Sequence, residues 1–69
     1  MDAFNMTEQE RRALAQRLVR PGDTVERTYV TSGLGYSATV RTAMGVVYDV
    51  RVSCVTLQIV GQTTGVSVA

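Results

Sequence analysis

The sequence predicts an α+β domain: one N-terminal helix followed by about five short antiparallel strands in a small barrel or strongly bent sheet. Three observations carry this. A capping box opens residues 7–10, a Pro-Gly pair closes the helical pattern at 21–22, and everything after Asp23 is rich in Val, Thr and Tyr with period-two alternation.

The helix comes first. In Thr7-Glu8-Gln9-Glu10 the Thr7 hydroxyl can accept from the Glu10 N–H while the Glu10 carboxylate reaches back to Thr7. Glu8 and Arg12 stand at i,i+4 in the favourable orientation. Leu14, Ala15, Leu18 and Val19 line one face, and Gln9, Arg12, Gln16 and Arg20 line the other, which predicts an amphipathic helix over about 8–20. Arg20-Pro21-Gly22-Asp23 then reads as a turn with Pro at i+1 and Gly at i+2.

The strands follow at about 24–31, 36–43, 46–53, 54–60 and 66–68. Ser32-Gly33-Leu34-Gly35 closes the first. Tyr36, Ala38 and Val40 alternate with Ser37, Thr39 and Arg41 in the second. Met44-Gly45 is a tight hairpin turn, with a glycine bulge in one longer strand as the alternative. Val46, Tyr48, Val50 and Val52 share one face, whereas Val55, Leu57 and Ile59 have the opposite parity. The phase slips at Ser53-Cys54, where no Gly, Pro, Asn or Asp stands. A strand that changes parity without a turn residue bulges or bends, as in very small barrels; an irregular hairpin turn is the alternative.

Size bounds what such a chain can do. Its 69 residues make a single domain over 1–69, and a domain this short buries only about 60% of its unfolded surface. Cys54 is the only cysteine and there is no histidine, so neither a disulfide within the chain nor a structural zinc site is available as a staple. Self-association is the remaining remedy, and a homo-oligomer is expected. Val47 and Val60 point the same way, because they make 46–60 apolar on parts of both faces. Together with Val66 and Val68 they are the candidate oligomer interface. The lone thiol and the lack of a leader or long apolar run place the chain in the cytoplasm with no membrane partner.

No enzyme is expected. Without histidine the usual general base is missing, and without lysine there is no Schiff base. Cys54 sits in an apolar strand, where a thiol is structural. Asp23, Glu26 and Asp49 are scattered, with Asp49 and Arg51 read as a surface ion pair. No metal or cofactor site is indicated. All seven basic residues are arginine and the net charge is +1; a GC-rich coding sequence accounts for the bias, and a preference for fork-shaped donors is the functional alternative. The candidate binding residues are Arg27, Tyr29, Tyr36, Arg41 and Arg51, which bring arginine and tyrosine together if the first strands pair.

Two residue groups resemble a known family. Tyr48-Asp49 looks like the aromatic–Asp pair of the first Sm motif, and Ile59-Val60-Gly61-Gln62 looks like the Ile-Arg-Gly-Asn of the second. With the helix-then-strands order, the chain resembles Sm-like and broader SH3-like small barrels in architecture, and in only a handful of residues as motif. The family's RNA-pocket arginine falls at Val60 and its pocket asparagine near Ser53. The leading expectation is a small oligomeric interaction module that binds a host protein, similar in style to accessory or inhibitor proteins of phages and mobile elements. A nucleotide- or RNA-binding oligomer is the alternative, and a structural subunit of a larger particle is a third.

Overall fold

The computed structural model describes residues 2–67. Chain order is a 3-10 turn (Ala3–Asn5), helix α1 (Glu8–Leu18), and strands β1 (Thr24–Ser32), β2 (Gly35–Arg41), β3 (Val46–Ser53), β4 (Gln58–Gln62) and the two-residue β5 (Val66–Ser67). The fold is α+β, with four full antiparallel strands in the order β1-β2-β3-β4.

Helix α1 begins where the capping box placed it. Glu10 N–H donates to Thr7 Oγ1 at 3.1 Å, and Thr7 N–H donates to Glu10 Oε1 at 2.8 Å. It ends at Leu18, two residues before the expected boundary, because Val19 adopts extended backbone and drops into the core at 8% exposure. Arg20, preceding proline, is disfavoured in helical backbone. Gly22 takes φ +96° and Asp23 N–H closes on Arg20 O at 3.1 Å, completing the Pro-Gly turn.

The sheet is a meander. The β2–β3 connection is a hairpin: Gly45 has φ +83°, and Thr42 N–H donates to Val46 O at 2.8 Å while Thr42 Oγ1 accepts from Met44 and Val46. The tight-turn reading of Met44-Gly45 therefore holds, with β2 ending at Arg41.

At Ser53-Cys54 the bent barrel strand is not found. Residues 54–57 form a turn, closed by Leu57 N–H to Ser53 O at 2.9 Å. Ser53 Oγ accepts from both Val55 and Thr56 N–H, and Leu57 enters the left-handed region at φ +57°. A serine hydroxyl and a strained leucine do what Gly or Asn ordinarily does. β4 thus starts at Gln58, later than expected, and runs to Gln62.

The sheet is open. Among the described residues no pairing joins β1 to β4 or β5, so no barrel closes. The expected fifth strand is reduced to Val66–Ser67, which pair with Val47 and Val46 alongside β4 on the same edge of β3; Val68 lies outside the described residues. Bulges interrupt the register at Glu26 and Thr31 in β1 and at Val60 in β4.

Tyr36, Ala38 and Val40 of β2 and Tyr48, Val50 and Val52 of β3 form the centre of the core, joined by Val25, Ala15, Val19, Ala3 and Cys54. Burying each fully enclosed valine contributes about 1.5–3 kcal/mol. Helix α1 packs chiefly on β1, and its polar side chains fill the free edge of that strand. Val25 N–H donates to Gln16 Oε1 at 3.0 Å, and Thr28 N–H donates to Glu8 Oε1 at 3.1 Å. Gln16 also donates to Asp23 O at 2.7 Å.

Candidate functional site

The strand register settles where the candidate residues lie. Tyr29, Ser37, Arg51 and Gly61 form one cross-strand row on the face away from the core, and Arg27, Thr39 and Asp49 form the next. Arg41 opposes Val47 in a third. Arg27, Tyr29, Arg41 and Arg51 are therefore gathered on one outer face. The Arg27 guanidinium stands over the Tyr29 ring, 5.4 Å from its centroid.

Tyr36 is the exception. It has core parity, is 0% exposed, and its hydroxyl donates to Arg11 O at 2.8 Å. Burial pushes its hydroxyl pKa up to about 12, with the nearby Cys54 thiol adding to the effect. A side chain so enclosed anchors α1 to β2 and meets no ligand.

The charges on the outer face are unevenly matched. Arg41 Nε lies 2.9 Å from Glu26 Oε2, and this contact holds the Glu26 carboxyl below its usual range. Asp49 does not pair with Arg51. It accepts from Thr39 Oγ1 at 3.0 Å, and its backbone exchanges hydrogen bonds with Thr63 at 2.9 Å each. Among the described residues, Arg51 forms no ion pair and no side-chain hydrogen bond.

The Val47 and Val60 positions also look different in three dimensions. Val47 is half-buried within its own chain, between Arg41 of β2 and the Val66 backbone of β5. Val60 is 58% exposed because the bulge in β4 turns it outward.

Sequence reasoning missed a second surface. Ala3 N–H donates to Gly33 O at 3.0 Å, and Cys54 N–H donates to Leu34 O at 2.8 Å. These bonds bring the 3-10 turn, the β1–β2 turn and the β3–β4 turn to one end of the molecule. Phe4 (66% exposed), Leu34 (70%), Val55 (69%) and Leu57 (42%) are all carried there. Phe4 and Leu34 stand apart from any apolar pattern in sequence, and Val55 and Leu57 read as one face of a strand, so no local pattern signals the patch. On the helix side of this end, Met6, Leu14 and Leu57 line a cleft of about 510 Å³. On the sheet side, Leu34 and Val60 wall a cleft of about 400 Å³ that also reaches Arg51, Ser37, Ser32 and Ser53.

Arg11 was also missed as a structural residue. Its guanidinium donates to Thr28 Oγ1 at 2.8 Å, Met6 O at 2.6 Å and Glu8 Oε2 at 3.0 Å. Glu8 thus pairs at i,i+3 with Arg11, which faces β1, and the expected partner Arg12 is exposed. The Thr28 hydroxyl, followed by Arg11, draws the Glu8 carboxyl below its usual range against the opposing effect of burial.

Cys54 is 2% exposed. Among the described residues no three metal-ligating side chains come together, and no helix is long and apolar enough to cross a membrane. The chain matches no known protein-family model, no curated protein and no solved structure.

Proposed function

We propose that this chain is a non-catalytic interaction module that binds another protein through its apolar end. The observation that carries the reading is the convergence of three segments, distant in sequence, to expose Phe4, Leu34, Val55 and Leu57 together. Grouped exposed side chains of this kind are characteristic of protein-binding surfaces. An accessory or inhibitor protein that acts by occupying a partner's surface needs no more equipment than this. Self-association belongs to the same reading, with the β4 edge and Val60 beside the apolar end, and sedimentation velocity reads it directly.

The test is capture from source cells with the wild-type chain and with Phe4→Ser/Val55→Ser, followed by mass spectrometry. A protein retained by the wild type at about 0.5 M salt, where charge contacts are screened, and lost with the variant supports the proposal. Retention unchanged by the variant sinks it. A second reading, a nucleotide- or RNA-binding face, is favoured by the Arg27–Tyr29 stack and by Arg51, which shares the row of Tyr29 and has no ion pair among the described residues. Binding through that face falls steeply with salt and is indifferent to Phe4 and Val55.

A further inference from the structure

The cleft walled by Leu34 and Val60 has a chemistry of its own. Ser37 and Arg51 oppose each other in one row across its floor, and Gly35 and Ser53 in the next row toward the apolar end. Gly35 leaves the outer face without a side chain at that row, and none is accommodated: a Cβ there would lie 2.5 Å from Val52 O. The cleft is therefore open above a floor of small residues.

Its polar groups are donors without acceptors. Arg51 has no carboxylate partner among the described residues, and no acidic residue lines the cleft. Ser53 Oγ accepts from the Val55 and Thr56 N–H groups, and Ser32 Oγ accepts from Leu34 N–H at 3.2 Å. Each of those hydroxyls keeps its hydrogen free to donate. A fork-shaped guanidinium flanked by hydroxyl donors suits a planar carboxylate, which it can grip with two parallel bonds. The walls, by contrast, are apolar and exposed, Leu34 at 70% and Val60 at 58%.

We infer that this cleft receives the C-terminal carboxylate of a partner chain whose last residue is apolar, Arg51 and Ser37 binding the carboxylate and Leu34 and Val60 the side chain. The inference rests on the protein-binding reading above and names its chemistry. A chain terminus puts carboxylate and apolar group on one Cα. In an extended internal segment adjacent side chains point to opposite faces, and an acidic and an apolar residue that share a face stand about 7 Å apart along the strand. A nucleotide fits less well, because no aromatic side chain lines the cleft to stack on a base.

The test is a titration of the full chain, followed by ¹H–¹⁵N spectra, with acetyl-Gly-Gly-Val-Leu as the free acid, the same peptide as its C-terminal amide, and AMP. The free acid is expected to shift the Gly35, Ser37, Arg51 and Ser53 amides, with the amide form at least about tenfold weaker. Arg51→Gln, at an exposed position, is expected to reduce free-acid binding to the level of the amide form. Equal binding of acid and amide, shifts with AMP alone, or no shift with any probe at about 10 mM, a ceiling above ordinary weak-ligand affinities, overturns the inference. Phe4 and Val55 do not line this cleft. Loss of the carboxylate site therefore leaves capture that depends on Phe4 and Val55 standing, and the two failures are distinguishable.

Discussion

Tyr48 donates from its hydroxyl to Asp23 Oδ2 at 2.6 Å, joining the middle of β3 to the turn that follows α1. Both residues are 9% exposed. The cation near Asp23, Arg20, is 3.8 Å away with a largely exposed side chain. Tyr48→Phe therefore leaves a buried carboxylate short of its main partner, at a cost of about 1–3 kcal/mol. Urea denaturation is expected to show this loss, and thermal melting a fall of at least about 4 °C.

The same tyrosine and Tyr36 set an alkaline limit. Burial raises both hydroxyls, Tyr36 to about 12, and the hydrogen bond to Asp23 adds to the effect at Tyr48. A raised folded-state pKa means that the unfolded chain loses its proton first. Their contribution is intact below pH 10 and declines as pH climbs toward 12, by about 3 kcal/mol for the Tyr36 shift alone. Tyrosinate absorbance of these two residues is expected to appear together with unfolding, not before it. Ionisation of all three tyrosines with the fold intact contradicts the burial of Tyr36.

At the acid end the control is Glu8. Its carboxyl is held below 4.5, chiefly by the Thr28 hydroxyl. The contribution is complete above that value and is lost as pH falls below it, when protonation releases Arg11 and the Thr28 backbone. Thr28→Val removes the hydroxyl that serves both Glu8 and Arg11 and is expected to cost about 1–2 kcal/mol. Its stability profile below pH 5 should also be flatter than that of the wild type.

Leu57 is the place to look for stored strain. A leucine at φ +57° costs about 1–2 kcal/mol relative to glycine, which takes that conformation freely. Leu57→Gly is expected to stabilise the isolated chain by about 1 kcal/mol, offset in part by the entropy of a more flexible unfolded state. The leucine side chain belongs to the apolar end, so the same variant is expected to weaken partner capture. Stabilisation without loss of capture removes Leu57 from the binding surface.

How much of this was legible depends on the range of the forces involved. The capping box, the Pro-Gly turn and the alternation of Tyr36, Ala38 and Val40 are local, and each formed as the sequence predicted. The 46–53 strand matched residue for residue. What failed was non-local or unsignalled. The parity slip was real, but a turn built on Ser53 Oγ and a left-handed Leu57 carries none of the usual turn residues. Bulges at Glu26, Thr31 and Val60 moved side chains between faces that a strict period of two would fix. For the site, the register put Arg27, Tyr29, Arg41 and Arg51 on one outer face, while Tyr36, grouped with them from the sequence, went inward with its own parity. The apolar end had no sequence signal because hydrogen bonds between distant turns assemble it.

The Gln16 and Glu8 side chains that satisfy Val25 and Thr28 also decide how far the sheet can grow. A strand approaching β1 finds these two donors already engaged, which disfavours recruitment at that side. The free side is β4. Two copies that meet there form a closed pair whose outer margins are both helix-blocked, whereas a fibre requires two unlike open margins on every copy. α1 thus acts as a chain terminator, and any assembly of copies through this sheet would stop at two.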